Sequence, residues 1–157
     1  MMKDKKFMGL AIKEARKNFK SLSGGPFGAC IVRNGRVIAV SRNTVLKNDA
    51  TCHAEINAIR IASKKLKTYD LSDCVIYSTT EPCPMCFSAI HWAGIKKIIY
   101  GTETRDAKKA GFNELNISTA KLASLGKSSI KITVGVLVQE CAKLFKEWAA
   151  MPGKVFY

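Results

Sequence analysis

The sequence predicts an α/β fold in which helices pack against a mixed sheet of about five strands. Three observations lead there. Helix-like and strand-like patterns alternate along 157 residues, a length that suits a single domain spanning 1–157. An Asn34-Gly35 pair sits between two β-rich runs and marks a tight hairpin, because both turn positions need positive φ. No repeat, low-complexity segment or linker divides the chain.

Taken in order, residues 4–20 read as an amphipathic helix, with Phe7, Leu10, Ala11, Ala15 and Phe19 at helical spacing and lysines opposite. A Gly/Ser/Pro loop fills 21–28. Residues 29–33 and 36–41 are the hairpin strands, and 42–51 is a polar loop. Residues 53–65 form a helix with Ile56, Ile59 and Ile61 or Ala62 on its apolar side and Thr51 as its candidate cap. Residues 73–78 are a buried strand. A second helix, 84–93, has Pro84 in its first turn, where a missing N–H does no harm. A strand at 96–101 follows Gly94. Residues 102–127 carry no readable pattern. Residues 130–138 are a strand by their β-branched content, and 139–150 a terminal helix stopped by Pro152-Gly153. Strands joined through helices should run parallel and the hairpin pair antiparallel.

Composition narrows the function classes. Hydrophobic residues at 47% against 24% charged exclude a disordered chain. The longest apolar runs, 29–32 and 98–100, fall far short of the ~20 residues that span a bilayer, so no membrane partner is expected. Lys13, Glu14, Arg16 and Lys17 interrupt the early sequence, so no secretory leader is read there. A chain this large needs no disulfide staples for its six cysteines, and a cytoplasmic, reducing setting is expected. Lys and Arg number 26 against 12 Asp and Glu, giving +14, which is compatible with nucleic acid as a partner. The lysines are scattered, however, so a solvated basic surface is the plainer reading and nucleic acid is not favoured.

Two segments carry chemistry: His53-Ala54-Glu55, and Glu81-Pro82-Cys83-Pro84-Met85-Cys86. H-x-E followed by P-C-x-x-C is the zinc-deaminase signature. Cys83 and Cys86, three apart at a helix start, point the same way. Helix N-termini stabilise thiolates. Three N/S ligands leave a fourth zinc position for water, whose pKa zinc lowers to about 7. Glu55 is better placed as a proton carrier than as a fourth ligand. A lone C-x-x-C could instead be a redox pair or half of a structural zinc site. No second C-x-x-C completes a four-cysteine site, and a redox pair has no use for His53 and Glu55. Cys30, Cys52, Cys74 and Cys141 are expected to be inert core residues.

The chain resembles the cytidine-deaminase-like superfamily of zinc-dependent nucleobase and nucleoside deaminases, and within it the bacterial guanine deaminases. The resemblance runs over almost the whole length. It is carried by Gly24-Gly25-Pro26-Phe27-Gly28-Ala29, Asn48-Asp49, the two segments above, Trp92, Asp106, Ala110-Gly111-Phe112 and the aromatic C-terminus. It implies a three-layer α/β/α fold with a five-stranded mixed sheet. His53, Cys83 and Cys86 would bind Zn2+, and Glu55 would shuttle protons while guanine becomes xanthine and ammonia. Phe27, Asn43, Ala54, Trp92 and Tyr157 would contact the substrate. Glu114 stands where guanine deaminases carry an Asp that assists proton transfer. Such enzymes are homodimers whose exchanged C-terminal segment closes over the partner's site, which would put Tyr157 on a lid. Ala50 and Cys52 depart from the usual Pro and Ala.

Three other readings stay open at this point. One is a tRNA adenosine deaminase, favoured by the charge. Another is a deaminase of cytosine, cytidine or guanosine. The third is a zinc-stabilised binding module, against which Glu55 argues.

Overall fold

The structure is a computed structural model and describes residues 2–157. Helix α1 (Met2–Ala15) and the short α2 (Asn18–Ser21) precede the hairpin strands β1 (Gly28–Arg33) and β2 (Arg36–Arg42). Then come α3 (Ala54–Leu66), β3 (Cys74–Thr80), α4 (Pro84–Trp92) and β4 (Lys97–Thr102). The chain ends with α5 (Thr104–Lys109), α6 (Thr119–Leu125), β5 (Lys131–Val134) and α7 (Val138–Ala149).

The five strands lie in the order β2-β1-β3-β4-β5. The first three are antiparallel neighbours, and β3, β4 and β5 are parallel. The hairpin turn is where the Asn-Gly pair predicts it, with φ of 49° at Asn34 and 74° at Gly35. Strand periodicity of two divides the core into layers. Ile31, Ile76 and Ile98 face α3, α4 and α6, packing with Ala58, Ala62 and Ile90. Cys30, Tyr77 and Ile99 face the opposite way, against Phe7, Met8 and Ala11 of α1 and Leu144 of α7. Helices on both faces make the three-layer α/β/α arrangement. Among the described residues no helix is long and apolar enough to cross a membrane.

Four expectations need correction. The helix read over 4–20 breaks after Ala15, because Asn18 turns inward. Fully buried, its amide donates to the carbonyls of Gly25 and Asn43, each at 2.8 Å. Thr51 does not cap α3. Its N–H and hydroxyl both bond Asp49 Oδ1, at 2.7 and 2.6 Å, and His53 takes the cap position instead. The strand read over 130–138 stops at Val134, since the chain turns through Gly135 (φ 90°) and Leu137 (φ 54°). The unreadable 102–127 stretch contains α5 and α6. Their starts are held by Asp106 accepting from Glu103 N–H at 2.9 Å and by Ser118 accepting from Lys121 N–H at 3.2 Å.

Candidate active site

The C-terminal ends of β2 and β3 deliver the chain to one edge of the sheet's α3/α4 side. There the N-termini of α3 and α4 meet. His53 is the N-cap of α3 and Cys83 that of α4, both in extended backbone (ψ 159° and 168°). Pro84 supplies the preset φ of the first helical position, and Cys86 follows within the first turn. The loop entering His53 is pinned by Asn57. Its amide donates to Arg42 O (3.0 Å), Thr44 Oγ1 (2.9 Å) and Cys52 O (3.2 Å).

The ligand atoms of His53, Cys83 and Cys86 lie within 4.8 Å of one another, with Cys83 Sγ 3.6 Å from His53 Nδ1. Ligands of one tetrahedral zinc stand roughly 3.5–4 Å apart, given metal–ligand bonds of about 2.0–2.3 Å. Two sulfurs and an imidazole are also the donor types zinc prefers. The electrostatics point the same way. The Cys86 thiol donates to Cys83, and with His53 beside it the Cys83 thiol falls to about 4. That hydrogen bond, with burial and the neighbouring Glu55, pushes Cys86 well above the ordinary thiol range. The pair therefore shares one proton, and a bound cation would let both ionise. Burial opposes a charged His53, but the Cys83 hydrogen bond and the Glu55 charge outweigh it and raise its pKa. The donor set fits a zinc ion.

Glu55, in the first turn of α3 and 6% exposed, accepts from Ser78 Oγ at 2.7 Å and from Cys86 Sγ at 3.4 Å. Burial raises its pKa, with the Cys83 thiolate adding to that rise. These groups floor a cavity of about 310 Å³, at the small end of ligand pockets. Phe27 and Phe112 wall it edge to face at 4.8 Å. Glu114 also lines it. Burial first, then the Cys83 thiolate, lifts the Glu114 carboxyl to about 7.

Asn43 is almost fully buried, and Val45 N–H (3.1 Å) and Tyr157 Oη (2.7 Å) both donate to its Oδ1. The backbone donor fixes which end of the amide is oxygen. The Asn43 NH2 makes no hydrogen bond among the described residues and is available at the cavity wall. Tyr157 Oη also accepts from Gly25 N–H at 2.7 Å, and Tyr157 O accepts from Asn113 N–H at 2.9 Å. Burial pushes the phenol to about 12.

Of the residues singled out in the sequence, Phe27, Asn43, His53, Glu55, Cys83, Glu114 and Tyr157 line one cavity, and Cys86 lies fully buried beneath it. Two do not join them. Trp92 is 81% exposed at the far end of α4, beside His91 and Leu125, and is no wall of this chain's cavity. Six residues past Cys86, a helix has turned about 240°, so the two face apart. The Ala54 side chain is buried in the core under α3. Tyr157 lines the cavity of its own chain, bonded to Asn43 and Gly25. Sequence reasoning gave no role to Phe112, Ser78 or Glu81. An acid before Pro-Cys at the end of a buried strand was the available signal for Glu81.

Residues 1–102 match the family described as the cytidine and deoxycytidylate deaminase zinc-binding region. The chain is 46% identical over 114 residues to a guanine deaminase of Bacillus subtilis, covering 72% of this chain and 73% of that protein. It is 35% identical over 124 residues to a tRNA-specific adenosine deaminase of Buchnera aphidicola, covering 78% and 79%. Among solved structures, NE0047 in complex with 2,6-diaminopurine superposes with a TM-score of 0.87 at 30% identity, covering 98% of this chain and 85% of that one.

Proposed function

The chain belongs to the zinc-binding cytidine and deoxycytidylate deaminase family and is a hydrolytic deaminase, and from that premise we propose that its substrate is the free base guanine. Guanine and water would give xanthine and ammonia. The observation that carries this reading is the small cavity with a spare amide donor on its wall and the carboxyls of Glu55 and Glu114 beside the metal-ligand group. Guanine presents a carbonyl oxygen and N7 along one edge, acceptors that suit the Asn43 NH2. Relatives named for guanine deamination, and a structural neighbour holding 2,6-diaminopurine, support a purine.

His53, Cys83 and Cys86 would hold the zinc. The ion supplies a water of pKa about 7, reactive at neutral pH. Glu55, held by Ser78, passes one proton of the attacking water to a ring nitrogen and the second proton of that water to the leaving amine. Glu114, poised near neutrality, exchanges a proton with that amine from the other side. Phe27 and Phe112 pack on the purine faces, and their apolar rings help exclude bulk water. Ala54 acts through its backbone alone, as the first residue of α3, whose N–H has no partner within the helix. Tyr157 orients Asn43 and caps the cavity. The six cysteines are all free, which suits a reducing cytoplasm. The exposed Trp92 and Leu125 would suit the face of a homodimer.

The +14 charge and the 35% identity to a tRNA-specific enzyme favour a second reading, adenosine deamination in RNA. The tail folded over the cavity argues for a small substrate. An ammonia-release screen of the zinc-loaded protein over guanine, adenine, cytosine, their nucleosides and a tRNA anticodon stem-loop separates the two. Xanthine from guanine is expected. Inosine in the RNA without xanthine from the base overturns the proposal.

A further inference from the structure

The mechanism above leaves one buried carboxylate without a task. Glu81 is 7% exposed at the end of β3, two residues before Cys83. Its Oε2 accepts from Thr104 N–H and Oγ1, both at 3.0 Å. Its Oε1 accepts from Thr119 N–H at 2.8 Å and Oγ1 at 2.9 Å, with Tyr100 Oη at 3.4 Å. Thr104 and Thr119 are the first residues of α5 and α6. One side chain therefore caps two helices, an oxygen to each.

Between those helices runs 110–118, an irregular segment that carries Glu114. Its own backbone bonds are local turns, such as Glu114 N–H to Phe112 O at 3.0 Å, plus the Asn113 link to Tyr157. Neither end of the segment is fixed to the sheet by a strand. Glu81 holds the segment's C-terminal end directly at Thr119 and its N-terminal end through α5, whose first residue Thr104 it also binds, and the same residue leads directly into the turn that presents Cys83.

We propose that Glu81 is a positioning residue, whose carboxylate ties both ends of 104–119, the stretch that carries Glu114, to the Cys83 turn and so sets where Glu114 stands in the cavity. The proposal rests on the reading of Glu114 as a group that acts on substrate. It also accounts for the choice of residue. Each oxygen faces donors only, so a glutamine would turn its NH2 toward one pair of donors and release one helix start. Pure helix capping would need no link to the cavity. This carboxylate is placed where a shift of one helix start becomes a shift of Glu114, and misplacement by about 1 Å costs catalysis up to about 10²-fold.

The test uses full-length, zinc-loaded protein in four forms: wild type, Glu81→Gln, Glu114→Ala and the double variant. We expect Glu81→Gln to keep its zinc and to lower kcat on guanine by about 10–100-fold with KM little changed. In the Glu114→Ala background the same substitution should add little further loss. Amide hydrogen exchange should quicken within 103–121 and stay unchanged in α1, α3 and the hairpin. Equal fold losses in both backgrounds, or loss of zinc from Glu81→Gln, would make Glu81 a structural support alone and overturn the proposal. If Glu81→Gln does not fold, Thr104→Val with Thr119→Val removes two of the donors and keeps the carboxylate. It should give the same pattern at smaller size, and wild-type kcat with wild-type exchange in that variant overturns the proposal. Should wild type leave guanine untouched, the substrate reading fails by itself, and the exchange at 103–121 still decides whether Glu81 holds the segment.

Discussion

The four residues at the cavity floor divide the work between holding charge and moving it. His53, Cys83 and Cys86 converge because two helix starts meet, and Glu55 is the one acid of the group with a fixed partner on the sheet, Ser78. Glu55→Gln keeps size and the Ser78 contact but cannot carry a proton. Zinc content and melting temperature should stay near wild type while kcat falls by ~10² or more, the scale of general acid–base catalysis; unchanged turnover would remove Glu55 from the mechanism. Glu114 gives a pH signature. Its pKa rises from the ordinary 4.5 to about 7, chiefly through burial, so the folded metal-free protein binds that proton more tightly than the unfolded chain does. The stability it contributes is present in full below pH 4.5 and is lost as pH rises through about 7. Chelated Glu114→Gln should therefore lose less stability than wild type between pH 4.5 and 7 in urea titrations. These residues were legible in the sequence because metal ligation and proton transfer demand fixed types at fixed spacing. Trp92 does not line this chain's cavity, because nearness to a motif along a helix does not say which way a side chain faces.

At the scale of elements, the legible parts were those whose signal is local. The Asn34-Gly35 turn, the Pro84 helix start and the alternating strands β1, β3 and β4 each carry their own cause. The illegible parts are set from a distance. Helices α5 and α6 are short and begin on a carboxylate more than 20 residues away in sequence, and α1 ends where Asn18 must reach Gly25 and Asn43. The C-terminal tail is another such case. Trp148, fully buried, anchors it through Nε1 to Val155 O at 3.3 Å, and Phe156 and Tyr157 then pack on Phe112. Deleting Phe156 and Tyr157 should leave the denaturation midpoint near wild type and raise KM for guanine by about 3–10-fold, the scale of one or two hydrogen bonds. Kinetics untouched by the deletion would rule out a role for the tail in binding. Close approach matters on the facing loop. A Cβ at Gly24 would collide with the Asn43 side chain and stand 2.8 Å from its carbonyl, so the loop can lie against Asn43 only as glycine.

For the whole molecule, the charge and the cavity point to different partners, and the cavity decides. A net charge of +14 attracts polyanions, whereas the site is a small cavity lined in part by Tyr157. A polyanion's affinity falls steeply with salt through counterion release, while an uncharged base has no counterions to release. Guanine turnover should therefore change less than about twofold between 50 and 200 mM salt, against the ~10³-fold or greater loss that six or more phosphate contacts produce. The most direct measurement follows xanthine and ammonia from guanine, on protein of known zinc content, before chelation, after it, and after zinc is returned. The account predicts one zinc per chain and equal amounts of the two products, with activity lost on chelation and restored with the metal. Full activity in protein stripped of metal, or one zinc per chain with no xanthine formed, would contradict it.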